Sequence, residues 1–425
     1  MYKKLLCYIV VFAAYYTANA QYISQAEALS IAANFMSDRH FTNVQSIKRM
    51  KADGEMFFSP YYVFNTDEGN GYVIVSGDER IGQILGYDEN GVLDMDSLPE
   101  NVSWWLGLYE NAIKYIHNSD IEKSKTANVP LDKTTERPTI EPLLKSKWNQ
   151  YSPYNNKCPL LDEKRCVTGC VATAVAQIMN YYRSPLSSKA TFKYRTKTNK
   201  INIPALPATD FDWENILNEY SSQATDAEKD AVATLLLYCG CALSMDYGLD
   251  GSGADSTPVC DAMEYFFGYD ESIKKVYRSD YDSEEWEELL YGELSKSYPV
   301  YYSGRTNGNA GHAFVCDGYD NGFFHINWGW GGYCDGHFKL SVLDPYIGNY
   351  SDSESSDGYA SEQMAVINIV PKDFHGFETR IKDLKTDYSE VKAYFNMNGQ
   401  PIPTLQKGMN IVKYADGSVK KEFIK

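Results

Sequence analysis

Cys170 lies near the start of the stretch VTGCVATAVAQIMNYY (167–182), and His312 follows 142 residues later in NAGHAFVCDGY. A thiol and an imidazole are the minimum for nucleophilic acyl transfer: the thiolate attacks a carbonyl carbon and the imidazole moves the proton. A buried cysteine is usually only a small hydrophobe, so its exact setting decides. Val171, Val175, Ile178 and Tyr182 recur on one side of a helix. That periodicity puts Cys170 in the first turn, after Thr168 as the expected cap and Gly169 as a tight entry. Unpaired N–H groups and the positive end of the helix dipole stabilise a thiolate there.

His312 is flanked by small residues that leave room for another backbone, whereas His325 and His337 fall on strand patterns as ordinary satisfied residues. A third group could orient the imidazole, and Asn327 in HINWGWGG is the candidate, with Trp328 or Trp330 excluding water from the bond. One geometric condition attaches to it. A two-residue turn at Asn321-Gly322 with ideal pairing sets Asn327 opposite Cys316, four residues beyond His312, so the hairpin must be bulged or longer-looped. Acyl transfer also needs donors for the oxyanion. The Cys170 N–H is one, and the side-chain amide of Gln150 in SKWNQYSPYN is a candidate for the other.

These residues need elements to hold them. Residues 1–20 read as a secretory signal: Lys3 and Lys4, an apolar run from Leu5 to Tyr16, and Ala18-Asn19-Ala20 as a small-residue cleavage site. Its removal takes the formal charge from −17 to −19. A chain so acidic repels nucleic acid and anionic membrane, and no later segment has the length of a membrane span. Eight cysteines remain, irregularly spaced, and no pair has the two-residue gap of a structural zinc site. Residues 21–140 read as a small α+β unit closed by the helical pattern SWWLGLYENAIKYIHN, then a polar, proline-bearing connector (119–142) open to proteolysis. Residues 141–372 place helices first and antiparallel strands afterwards, an α+β domain with segregated layers. SDSESSDG (351–358) reads as a solvated acidic loop, and residues 373–425 as a short β appendage.

WNQYSPYNNKCP, TGCVATAVAQIMNYY, MDYG, GHAFVCDGYD and HINWGWGG occur in that order over about 141–345. This series resembles the streptopain family, secreted bacterial cysteine proteases with a papain-like fold, interpain-type zymogens among them. The resemblance implies Cys170 as nucleophile, His312 as general base and acid, Gln150 in the oxyanion hole and the tryptophans after Asn327 shielding the imidazole. It implies a cleft loop at GLDGSGADS (248–256), with Ser252, Gly253, Gly311 and Trp330 touching substrate. The first unit is similar to an inhibitory propeptide, and the tail to C-terminal sorting segments of exported Bacteroidetes proteins. Protein or peptide substrates follow, with the chain's own propeptide as an intramolecular inhibitor and no metal or organic cofactor. Two other readings stay open at this level. One is a transglutaminase-like Cys-His acyltransferase, and the other is a binding protein that kept the fold without catalysis.

Overall fold

The computed structural model describes residues 22–46, 50–51, 57–118, 137–305, 311–341, 363–374, 391–396, 400–414 and 419–424. The expected signal, most of the connector and the acidic loop lie outside them. Six helices carry the periodic segments: α1 (Gln25–Phe35), α2 (Glu100–Asn118), α3 (Cys170–Tyr182), α4 (Asp226–Ala242), α5 (Val259–Phe267) and α6 (Ser283–Ser295). Capping boxes fix the starts of α4 and α6, where Thr225 pairs with Glu228 and Asp282 with Glu285. Among the described residues no helix is long and apolar enough to cross a membrane.

The main sheet has ten strands. In chain order they are β1 (Phe41–Ser46), β2 (Tyr61–Thr66), β3 (Tyr72–Ser76), β4 (Ile84–Asp88), β5 (Lys274–Tyr277), β6 (Val300–Arg305), β7 (Gly311–Asp320), β8 (Phe323–Asn327), β9 (Gly336–Phe338) and β10 (Met364–Ile367). Their spatial order is β1-β2-β3-β4-β9-β8-β7-β6-β10-β5. The helical layer and antiparallel sheet are the α+β arrangement expected of residues 141–372.

The first unit and the catalytic part form one compact body through Lys372, and Asp373–Lys425 form a second. The join is main-chain pairing: β4 of the first unit runs antiparallel to β9, with Tyr87 opposite His337 and Gly86 opposite Phe338. Each partner would otherwise be an exposed edge strand. Gly336 is required there, because a Cβ would lie 2.4 Å from the Tyr72 hydroxyl and 2.8 Å from the Tyr87 carbonyl. One aromatic core spans the seam. Trp105 of α2 packs edge-on against Tyr302, Phe314, Trp328 and Phe338 of the catalytic strands and the turn after them. The second body is a four-stranded antiparallel sheet formed by residues Val391–Asn396, Pro401–Ile402, Gly408–Tyr414 and Val419–Ile424.

The seam carries a titratable group with a measurable signature. His337 stacks on Tyr87 with ring centroids 5.0 Å apart and lies 5.1 Å from His325. Burial, reinforced by the His325 charge, pushes its pKa down to about 4. A base depressed in the folded state costs stability as pH falls from its ordinary value near 6.5 towards 4. His337→Phe keeps the stacking and removes that loss, worth at most about 3 kcal/mol by pH 4. The melting midpoints of variant and parent should therefore diverge progressively below pH 6.5. A gap that stays constant with pH contradicts the assignment.

Candidate active site

The helix that begins at Cys170 starts without a side-chain cap. Gly169 is the N-cap at φ +87°, and a Cβ there would meet Met245 Sδ and the Ser252 carbonyl at 2.7 Å. Thr168, expected as the cap, instead hydrogen-bonds through Oγ1 to Thr173 Oγ1 (3.0 Å), and its N–H donates to the Gln150 carbonyl (3.1 Å). The first-turn donors are thus left facing the sulfur. Burial pushes the Cys170 thiol up, while the N–H groups of Ala313, Val171 and Cys170 itself pull the other way. Ala313 is the residue after His312, so the head of α3 abuts the start of β7. The thiol and the imidazole strand are brought together as expected.

The imidazole itself is engaged by the first unit. His312 Nε2 lies 3.9 Å from Glu100 Oε1, and its ring sits against Trp104 with centroids 6.1 Å apart. Both residues belong to the first two turns of α2. Trp104 also presses on the backbone of Gly304, which pairs with His312: a Cβ there would be 2.2 Å from its ring. Burial pushes the His312 pKa down, which Glu100 opposes, and the same carboxylate raises the thiol. Both effects of burial favour a neutral pair in this state. Asn101, next along α2, donates to the Trp328 carbonyl (2.9 Å) and accepts from Trp330 Nε1 (2.7 Å).

Several expected roles are corrected. The hairpin is bulged at Asp317, as the geometric condition required, but this moves Asn327 only to a position opposite Val315. Val315 is three residues from His312, so the two lie on opposite faces of β7. The Asn327 amide accepts from Gln177 Nε2 (3.0 Å) and the Gly329 N–H (3.1 Å) and donates to the Ser146 carbonyl (2.9 Å). It braces a loop and does not orient the imidazole here. Trp328 is buried against Phe314 (4.6 Å) and Trp105, so the indole over His312 belongs to Trp104. The Ser252 hydroxyl donates to the Val167 carbonyl (2.7 Å) and accepts from the Gly248 N–H (3.0 Å), which makes it a brace of the 248–253 loop and not a free substrate contact. Gly253 and Gly311 are exposed, and Trp330 is partly buried beside the exposed ring of Tyr151 (6.4 Å). Gln150 is buried and tied to the entry of α3 through Thr168. His325 is satisfied by Asp317 (2.6 Å), whereas the buried Nδ1 of His337 has no hydrogen-bond partner among the described residues. All eight described cysteines are free thiols.

Residues 148–338 match the model of the Peptidase C10 family, and residues 20–113 match that of the Spi protease inhibitor. Streptopain of Streptococcus pyogenes is 35% identical over 347 residues, which cover 76% of this chain and 84% of that protein. The chain belongs to the Peptidase C10, or streptopain, family. The thiol protease/hemagglutinin PrtT of Porphyromonas gingivalis is 31% identical over 374 residues, 82% of this chain and 42% of that one. A solved structure of a prointerpain A fragment from Prevotella intermedia, carrying a cysteine-to-alanine substitution, superposes with a TM-score of 0.62 at 30% identity. It covers 78% of this chain and 99% of that fragment. The protein is therefore a papain-like cysteine endopeptidase in zymogen form, with the first unit as its intramolecular inhibitor.

Glu100, Asn101 and Trp104 were not singled out from sequence. A signal existed in the adjacent Trp104-Trp105 pair. Consecutive helical side chains point about 100° apart, so the two rings meet different neighbours. Both are buried in one aromatic core, and Trp104 also reaches the His312 ring.

Proposed function

We propose that Cys170 and His312 carry the hydrolysis and that α2 holds them apart until it is removed. The observation that supports this most directly is the uncapped head of α3 against the start of β7, with Glu100 and Trp104 on the imidazole. With α2 gone, the imidazole loses both partners and is free to turn towards the sulfur and take the thiol proton, leaving a thiolate beside an imidazolium. The Cys170 thiolate then attacks the peptide carbonyl carbon, and the oxyanion receives the Cys170 N–H and the Gln150 amide. His312 gives its proton to the departing amine as the C–N bond breaks and a thioester forms. Water then attacks the thioester, His312 takes its proton, and the acid leaves as the thiol is restored.

The reading extends to context: residues 1–20 serve as an export signal, protein or peptide chains are the substrates outside the cell, and the tail body serves sorting. Incubating purified full-length protein with reductant, followed by mass spectrometry of the fragments, tests activity and the conversion site together. Conversion within 119–142 is expected; an intact chain with no peptide hydrolysis contradicts the reading. Gln150→Ala should lower kcat by about 10²–10³ with KM nearly unchanged, the mark of a lost oxyanion donor. Steady-state kinetics on a peptide substrate check this, and a change confined to KM contradicts it.

A further inference from the structure

Gln177 is fully buried on α3, seven residues and two turns beyond Cys170. Its Oε1 accepts from Ser146 Oγ (3.1 Å) and from the Trp148 N–H (3.4 Å). Its Nε2 donates to Asn327 Oδ1 (3.0 Å), and Asn327 Nδ2 closes the ring on the Ser146 carbonyl (2.9 Å). The orientations are forced. The Gly329 N–H can only donate and the Ser146 carbonyl can only accept, so Asn327 has one possible setting and Gln177 must donate to it. Three chain segments meet at this triangle, and each leads to a residue of the proposed site or its flanking turn. Ser146 and Trp148 lead to Gln150, Asn327 leads to the Trp328–Trp330 turn, and Gln177 leads back along a rigid helix to Cys170. A further bond, from the Gly331 N–H to the Trp148 carbonyl (2.9 Å), ties the loop to the turn independently.

A fully buried amide in a helix interior costs free energy unless every polar atom is satisfied. An apolar residue there would pack without that cost, so stability alone does not call for glutamine. We propose that Gln177 is a positioning residue for hydrolysis: it sets the distance from the oxyanion loop and the tryptophan turn to the nucleophile. Misplacing an oxyanion donor by a fraction of an ångström weakens transition-state binding and leaves ground-state binding largely intact. The inference rests on the assignment of Cys170 and Gln150 made above.

Gln177→Met, of similar length and without hydrogen-bonding groups, tests it in full-length protein converted by added trypsin, with active sites counted by iodoacetamide incorporation. Loss in kcat of about 10- to 100-fold is expected, with KM within about twofold. Alkylation of Cys170, which needs no oxyanion donor, should stay within about twofold of the parent rate. In a Gln150→Ala background the same substitution should cost less than about threefold, because the donor being positioned is already gone. Ser146→Ala, a milder cut of the same triangle, should show the same pattern at about 3- to 10-fold and serves if Gln177→Met does not fold. An unchanged kcat, equal losses of kcat and alkylation, or equal costs with and without Gln150 overturn the proposal. Failure of the underlying assignment looks different: trypsin-converted Cys170→Ala would then still hydrolyse peptide.

Discussion

Cys170→Ala is expected to abolish peptide hydrolysis and self-conversion, a fall of roughly 10⁴-fold or more, while the fold persists. On the proposed mechanism Cys170 forms the bond that the later steps break, so no neighbouring group can substitute for it in part. The side chain is only partly buried at a helix start, and its truncation should cost about 1–2 kcal/mol at most. Casein cleavage and the melting midpoint, measured on one preparation, separate the two effects. A variant that still cleaves would move the nucleophile to another cysteine. Cys166, the next thiol back along the chain, is fully buried, and burial raises its pKa, so it is poorly placed to take over.

Trp105→Ala should release the enzyme from latency. The ring is fully buried, and four of its aromatic partners (Tyr302, Phe314, Trp328 and Phe338) lie across the seam in the catalytic part. Removing a buried tryptophan costs about 3–5 kcal/mol. Because the lost contacts join α2 to the catalytic strands, most of that cost weakens docking of the first unit. At about 1.4 kcal/mol per factor of ten, the undocked fraction rises by about 10²–10³. Self-conversion under reductant should accelerate by a similar factor until the chemical step limits it. A variant with a lowered melting midpoint and an unchanged conversion half-time would show that α2 is not what holds the site closed.

Much of this arrangement was legible before any coordinates. The valine stripe of α3 fixed the place of Cys170, and the alternating strands fixed the antiparallel layer that presents His312. The hairpin needed a bulge, and it has one. What the residue pattern could not reveal is where the bulge falls. Asp317 is the extra residue, and its carboxylate accepts from the Leu144 N–H and from His325, contacts 173 and 8 residues away in sequence. That placement put Asn327 on the face opposite His312, with Gln177 as its partner. The joined sheet was equally hidden, because β4 and β9 recognise each other through main-chain groups that every sequence possesses. Thr168 was misjudged for a related reason. Its hydroxyl had two uses, cap or brace, and Thr173 one turn into α3 decided for the brace.

The proposed role of Cys170 and the latency of the site share one physical basis: a thiol kept neutral while Glu100 and Trp104 occupy the His312 ring. The rate of Cys170 alkylation by iodoacetamide between pH 5 and 8, mapped by mass spectrometry before and after removal of residues 21–136, tests it most directly. In the full chain the rate should be slow and rise only towards alkaline pH, as for a neutral thiol. After removal it should be at least about tenfold faster near pH 6, as for a thiolate beside an imidazolium. Equal rates in both forms, or fast alkylation at a cysteine other than 170, would contradict the account.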